Sequence, residues 1–196
     1  RGYDAVTGEL AWAWDLGKPD LDGEPPEGEV YTRGTPNMWT MSAGDEELGY
    51  VYLPLGNSAV DYYGSNRSEA ENEYATSLVA IDVTTGEPAW HFQTVYNDVW
   101  DYDLGSQPTL VDVEHDGETV PAVVLASKQG DIYVLDRRTG ESLFPVEERP
   151  VPQGGVACSL QKQSSIAPTP GDRRGNPAPL ANHSRIPCRL FARVAQ

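Results

Sequence analysis

At 196 residues, 39% hydrophobic and 22% charged, the chain has the size and composition of one globular domain or a portion of a larger one. Its formal net charge of −16 produces a surface potential that repels phosphate backbones and anionic headgroups, which argues against a nucleic-acid partner and leaves a small neutral substrate compatible. The 19 glycines and 16 prolines favour short strands joined by turns over long helices, and no window approaches 18 consecutive apolar residues, so nothing reads as a bilayer-spanning helix.

The first predicted element is a β-hairpin. In Asp4-Ala5-Val6-Thr7-Gly8-Glu9-Leu10-Ala11-Trp12, the Asp and Thr side chains can bond turn amides, Gly8 can take the positive φ of a tight turn, and a large aromatic follows. The chain opens inside this unit, at Arg1-Gly2-Tyr3-Asp4, with no basic, then apolar, then small-residue leader, so further residues before Arg1 are expected. Residues 17–36 form a Gly-, Pro- and acid-rich loop, and Gly49-Tyr50-Val51-Tyr52-Leu53-Pro54-Leu55 is a short strand. A second such loop covers 61–75, with a brief helix predicted over 68–74. The strand Ser77-Leu78-Val79-Ala80-Ile81 then runs into Asp82-Val83-Thr84-Thr85-Gly86-Glu87-Pro88-Ala89-Trp90, which repeats the hairpin unit. Strands follow at 121–126 and 131–135, and the latter enters a third copy, Asp136-Arg137-Arg138-Thr139-Gly140-Glu141-Ser142-Leu143-Phe144.

The shared pattern is Asp-x-x-Thr-Gly-Glu-x-x-aromatic, at intervals of 78 and 54 residues. A single Thr-Gly turn means little in a β protein. Three copies with one internal spacing predict sheets that bury their faces on one another: an all-β β-propeller of four-stranded blades, incomplete, with about three blades present, rather than a β-sandwich or an irregular β domain. The aromatic of each unit is expected to dock between neighbouring sheets.

The segment Thr94-Val95-Tyr96-Asn97-Asp98-Val99-Trp100-Asp101-Tyr102-Asp103, followed by Gln107-Pro108-Thr109-Leu110, resembles the signature of dehydrogenases dependent on pyrroloquinoline quinone (PQQ). So does Ala126-Ser127-Lys128-Gln129-Gly130-Asp131-Ile132-Tyr133-Val134-Leu135-Asp136-Arg137. With Pro36-Asn37-Met38-Trp39, Val51-Tyr52-Leu53-Pro54-Leu55-Gly56-Asn57 and Val151-Pro152-Gln153-Gly154, the order and spacing are similar to the membrane-bound glucose dehydrogenase subgroup, relatives of which use quinate or shikimate. The resemblance runs from residue 1 to about 154. It implies an eight-bladed quinoprotein propeller that oxidises glucose or a related sugar or cyclic polyol with PQQ and a divalent metal, Ca²⁺ or Mg²⁺. It also implies that electrons pass to ubiquinone at the periplasmic face of the bacterial inner membrane, with membrane association through a segment outside this chain.

Carried onto this sequence, the resemblance makes Asp101 the base that takes the hydroxyl proton during hydride transfer, with its basicity expected to be raised by a dehydrating propeller mouth. Lys128 becomes the cation facing the quinone oxygens, Trp100 a cofactor contact, and Asn57 a metal ligand, since calcium accepts amide oxygen readily. Each has a plainer reading: Asp101 as a turn cap, as Asp98 and Asp103 would be, Lys128 as a surface turn lysine, and Gly56-Asn57 as an ordinary turn pair. Trp39 and Trp100 also read as cofactor walls or as structural aromatics. Tyr96-Asn97 stand where many glucose dehydrogenases carry histidines, and His91 reads as a strand residue. Asn66-Arg67-Ser68 has the form of a glycosylation triplet, without meaning in a periplasmic bacterial protein. A non-enzymatic propeller scaffold is the alternative, but it has no reason to keep the loops at 100–101 and 128. An alcohol dehydrogenase with a c-type haem is a third reading, and no Cys-x-x-Cys-His occurs.

After Gly154 the pattern changes. Residues 151–196 hold six basic side chains against Asp172 alone, a charge of +5 that leaves −21 for residues 1–150, and both cysteines, Cys158 and Cys188, lie there. The expected organisation is a partial propeller over 1–154 and a divergent basic tail over 155–196, disordered or produced by a shifted reading frame, with a docking tail as the alternative. About three blades cannot close an eight-bladed ring, so this polypeptide alone is expected to be inactive and, with open edges, prone to aggregate.

Overall fold

The structure, a computed structural model, describes residues 1–21, 23–150 and 162–166. Strands β1 (Gly2–Tyr3) and β2 (Leu10–Trp12) flank the first repeat turn. Strands β3 (Ala43–Asp45), β4 (Tyr50–Pro54), β5 (Ser77–Asp82) and β6 (Pro88–Gln93) form one antiparallel four-stranded sheet in sequence order, with helix α1 (Glu69–Tyr74) in the β4–β5 connection. Strands β7 (Thr109–His115), β8 (Glu118–Ala126) and β9 (Ile132–Asp136) form a second antiparallel sheet, and the bridge between Leu135 and Ser142 begins a fourth strand on its edge. A final pair joins β10 (Val146–Pro150) to β11 (Lys162–Ile166). One complete blade, one nearly complete blade and a hairpin on either side make a partial propeller, as the repeats predict.

Helix α1 forms at the predicted place because Ser68 caps it. The Ser68 Oγ accepts the Glu71 N–H at 3.2 Å while the Glu71 carboxylate accepts the Ser68 N–H at 2.8 Å. The sequence reading expected no strand pattern beyond Gly154, yet β11 pairs with β10 over five residues. Lys162-Gln163-Ser164-Ser165-Ile166 has no apolar alternation to announce it; an unpaired sheet edge is a template for any extended backbone. The remainder of the tail reading, Cys158 and Cys188 included, lies outside the described residues.

Strand β5 is buried along both faces from Ser77 to Ile81. Alternation sends Leu78 and Ala80 into a core shared with Tyr52 of the same sheet and with Val123, Leu125, Tyr133 and Leu135 of the second sheet, and Val79 and Ile81 into a second core under Trp12 and Trp14. A continuous apolar run therefore marks a strand sandwiched between blades, not a helix.

The repeat turns close as their chemistry predicts. Asp4 Oδ1 accepts the N–H groups of Val6 and Thr7 at 2.9 and 2.7 Å, Asp82 Oδ1 those of Thr84 and Thr85 at 2.7 and 3.2 Å, and Asp136 Oδ1 that of Arg138 at 2.9 Å. In each copy the threonine Oγ1 accepts the following glutamate N–H at 3.2 Å, and the glycine has φ of 75° to 77°. A fourth turn of this build, Asp45-Glu46-Glu47-Leu48-Gly49, joins β3 to β4, with Asp45 Oδ1 accepting from Glu47 and Leu48 at 3.0 Å each. It lacks the threonine and the aromatic, which hides it in the sequence.

Each docking tryptophan lands on the next unit's turn. Trp12 Nε1 donates to Val83 O at 2.7 Å, and a Cβ on Gly86 would lie 2.5 Å from its ring. Trp90 Nε1 donates to Arg137 O at 3.3 Å, and a Cβ on Gly140 would lie 2.6 Å from its ring. Tyr52 OH donates to the same carbonyl at 2.9 Å, and Arg137 Nε pairs with the buried Asp45 carboxylate at 2.6 Å. Val83 N–H also donates to Gly49 O at 2.9 Å. These contacts gather the repeat turns at one end of the sheets. In an antiparallel sheet the alternate connections must emerge at the opposite end, and the family-like loops occupy those connections.

Candidate active site

Four segments converge at that opposite end: residues 36–42 ahead of β3, 55–76 between β4 and β5, 94–108 between β6 and β7, and 127–131 between β8 and β9. Their irregular backbones are fixed by long-range hydrogen bonds. Thr94 donates from N and Oγ1 to Thr76 O at 3.0 Å each, Gln107 Nε2 donates to Ser42 O at 3.1 Å, and Asn57 N–H donates to Asp103 Oδ1 at 2.6 Å.

Asp101, from the connection between the two sheets, and Lys128, from the β8–β9 loop of the second, meet here. Lys128 Nζ lies 3.0 Å from Asp101 Oδ2 and also donates to the Asp101 backbone carbonyl. Their side chains are 28% and 49% exposed, so the pair stands at a surface that solvent and solutes reach. Burial disfavours the charged form of each, and their mutual hydrogen bond and attraction outweigh it: the Asp101 carboxyl is held below the ordinary carboxylate range and the Lys128 ammonium above the ordinary lysine range. This corrects the expected rise in Asp101 basicity. The partial dehydration is present, but the ammonium at 3.0 Å decides the sign.

Beside the pair, burial pushes the Asp103 carboxyl up, against the Asn57 N–H bond, and the neighbouring Asp101 pushes it further. The two carboxyls thus titrate apart, with Asp101 ionised first. Asp103 and Lys128 line a cavity of about 410 Å³ with Trp39, Gly105, Ser106 and Ser127. The Trp39 ring is 71% exposed and lies over Gly56, where a Cβ would stand 2.8 Å from Trp39 Cδ1 and 2.5 Å from Asp103 Oδ1. Gly56 is thus a site residue the sequence reading missed; its signal is only the absence of a side chain.

The other residues singled out sit around this centre. Trp100 precedes Asp101 but is half-buried, with its ring 6.0 Å from Tyr102, while Trp39 supplies the aromatic wall of the cavity. Asn57 is buried: its Nδ2 donates to Asp61 O and Asp98 O at 3.1 and 3.0 Å, and its Oδ1 accepts the Ser58 N–H at 2.9 Å. Tyr96 OH donates to Glu148 Oε1 at 2.9 Å. His91 is an exposed residue of β6 stacked on Tyr74 at 4.9 Å, as a strand residue would be. No group of three or more His, Cys, Asp or Glu positioned to hold a metal ion occurs among the described residues. A larger cleft, about 750 Å³, lies between the β1–β2 hairpin and the first sheet. Its walls are chiefly the apolar side chains of the second core, so it is a seam between blades and not the chemical centre.

Comparison with known proteins identifies the family of the fold. Residues 1–183 match the family described as PQQ glucose/ethanol/alcohol dehydrogenase, β-propeller domain, a match that extends past Gly154. The chain is 55% identical over 157 residues to the glycerol dehydrogenase large subunit of Gluconobacter thailandicus, covering 80% of this chain and 21% of that protein. It is 46% identical over 156 residues to the quinoprotein glucose dehydrogenase of Escherichia coli K12, covering 80% of this chain and 20% of that one. Among solved structures it resembles a quinohemoprotein alcohol dehydrogenase of Pseudomonas putida HK5, with a TM-score of 0.57 and 32% identity over 74% of this chain and 24% of that chain. The chain spans about a fifth of the length of the curated relatives it matches.

Proposed function

This chain belongs to the PQQ glucose/ethanol/alcohol dehydrogenase β-propeller family, and from that premise we propose that it carries the proton-accepting side of the active centre of a quinone-linked dehydrogenase for sugars or polyols. The observation that supports this reading most is the Asp101–Lys128 pair at the edge of a cavity of about 410 Å³, where the connection between the two sheets meets a loop of the second.

The cavity suits PQQ, a flat anionic quinone: Trp39 offers an exposed aromatic face and Lys128 a cation, and the volume falls within the range of small-molecule sites. When bound, PQQ supplies an electrophilic quinone carbon that receives the substrate hydride. The chain's own residues do the rest. Asp101, ionised at neutral pH, accepts the substrate hydroxyl proton at its carboxylate. Lys128 orients that carboxylate through one hydrogen bond to its Oδ2 and another to the Asp101 backbone carbonyl, and presents its ammonium to oxygens that gain negative charge.

Asn57 is the candidate for holding Ca²⁺ or Mg²⁺. Its Oδ1 keeps one lone pair beyond the Ser58 N–H bond, enough for a single contact to a hard cation whose other ligands would come from outside this chain. Ubiquinone as the electron acceptor and a periplasmic, membrane-associated setting follow the same resemblance. The relatives' names span glycerol and glucose, so a polyhydroxylated substrate is the class we assign.

The test is the full-length product of the reading frame that carries this chain, reconstituted with PQQ and Ca²⁺ and assayed by dye reduction with glycerol, glucose, quinate and ethanol. Asp101→Asn should lower kcat by about 10²- to 10⁴-fold. Dye reduction unaffected by Asp101→Asn removes Asp101 from the reaction and the reading with it.

A further inference from the structure

Asp101 sits at φ +63°, in the left-handed region that a side-chain-bearing residue keeps only when its surroundings hold it there. The hold is visible three positions away. Asp98 is fully buried, and its carboxylate brackets Asp101: Oδ1 accepts the Trp100 N–H at 2.8 Å and Oδ2 the Tyr102 N–H at 2.7 Å, one residue before and one after. Oδ2 also accepts the Thr76 hydroxyl at 2.9 Å. The Asp98 backbone carbonyl is in turn held by Arg67 Nη1 at 2.5 Å and Asn57 Nδ2 at 3.0 Å. Arg67 is itself buried, and its other fork nitrogen donates to Val60 O and Asp61 O at 3.2 and 3.1 Å, tying the 57–67 loop to the 98–103 loop.

We propose that Asp98, anchored by Arg67, is a positioning residue for the reaction: it fixes the two amides flanking Asp101 and so aims the Asp101 carboxylate at Lys128 and the cavity. This rests on the reading of Asp101 as the base. Asp98 bonds the amide two residues on, as the repeat-turn aspartates do, but its second oxygen reaches past the strained position to the amide four residues on, so that one carboxylate encloses Asp101.

The proposal is tested in the full-length PQQ- and Ca²⁺-loaded protein, with the cofactor-free protein as a second readout. Asp98→Asn should lower kcat about a hundredfold while leaving KM within about threefold, since a misaimed base costs turnover and not binding. Without PQQ, hydrogen-exchange protection of one of the Trp100 and Tyr102 amides should be lost in Asp98→Asn, because asparagine keeps a single acceptor oxygen where Asp98 uses two. Thr76→Val deletes the third bond to the same carboxylate without touching either amide; it should lower the melting temperature yet keep both protections and keep kcat within about threefold. If Asp98→Asn does not fold, Arg67→Lys, which keeps the charge but trims the fork, should lower kcat about tenfold at unchanged KM.

An unchanged kcat in the folded Asp98→Asn protein, or in Arg67→Lys where Asp98→Asn does not fold, overturns the positioning role. A Thr76→Val loss of kcat matching its loss of stability overturns it as well. The underlying reading fails separately, if Asp101→Asn itself retains turnover.

Discussion

The two ends of the sheets are built on opposite terms. At the turn end, closure is local: Asp4, Asp45 and Asp82 bond amides two and three residues on, Asp136 bonds one two residues on, and the positive φ falls on Gly8, Gly49, Gly86 and Gly140, which adopt it at no steric cost. At the site end a positive φ falls on the side-chain-bearing Thr76, Asn97 and Asp101, at 52°, 50° and 63°, as well as on Gly130, whereas among the described residues the turn end has a single side-chain-bearing case, Asp116 at 52° in the β7–β8 turn. The bonds that hold the site end cross 22 residues from Thr76 to Asp98, 27 from Lys128 to Asp101 and 46 from Asn57 to Asp103. One end repeats because any blade needs it. The other is irregular because it is determined by partners from several blades, and backbone strain kept under such control supports the chemistry proposed for it.

The largest expected effect separates the ends by activity. Lys128→Met should lower kcat by about 10²- to 10³-fold in the full-length enzyme, the range for losing one fixed electrostatic donor. The melting temperature should barely move, because a pair this exposed contributes little to folding. A pH signature comes with it. Lys128 holds the Asp101 carboxyl low, so removing the ammonium lets that pKa rise. Activity needs the carboxylate, so the acid limb of the kcat profile should move to higher pH. An acid limb that stays in place would mean that Lys128 does not act on Asp101.

Glycine substitutions separate the same ends by stability. Gly86→Ala and Gly140→Ala each combine a φ of +77° with a Cβ 2.5 or 2.6 Å from a tryptophan ring. Each should cost about 2–4 kcal/mol in denaturant unfolding, and kcat of the protein that remains folded should be unaffected. Gly56→Ala has no left-handed requirement, but its Cβ would strike Trp39 and Asp103 at 2.8 and 2.5 Å. It should cost about 1–2 kcal/mol and reduce kcat/KM about tenfold, since what gives way is the cavity wall. Equal losses of activity at positions 56 and 86 would erase the distinction between the ends.

This contrast also explains what could be read in advance. The turn end was legible because its rules act within five residues: Asp, Thr and Gly announce the turn, the aromatic announces the joint, and the run Ser77-Leu78-Val79-Ala80-Ile81 announces a strand buried on both faces. The turn at Asp45–Gly49 escaped because Leu48 replaces the threonine, although Asp and Gly alone suffice to close it. At the site end, family resemblance singled out Asp101 and Lys128, but the expected rise in Asp101 basicity has the wrong sign, because the shift is decided by a partner 27 residues away. Gly56, Arg67 and the bracketing by Asp98 were illegible for the same reason: each matters through a neighbour that only the fold supplies. Asn66-Arg67-Ser68 is the clearest case, a glycosylation-like triplet whose central residue is a buried clamp between two loops.

The smallest effect tests whether the joints at the turn end depend on a hydrogen bond or on a ring. Trp12→Phe deletes a bond of 2.7 Å to Val83 O, a carbonyl on an exposed residue that water can reach, so the cost should be about 1 kcal/mol and not that of a buried orphan. Trp90→Phe deletes a longer bond, 3.3 Å, to Arg137 O, and that carbonyl keeps the Tyr52 hydroxyl at 2.9 Å. Its loss should be smaller, about 0.5 kcal/mol, with the ring still packed on Tyr52. The third repeat already carries Phe144, whose ring meets His115 edge-on at 5.3 Å. Unfolding midpoints that rank Trp12→Phe below Trp90→Phe, with both within about 1.5 kcal/mol of the parent, would make packing the main cohesion of the joint; the reverse order would assign it to the indole N–H of Trp90.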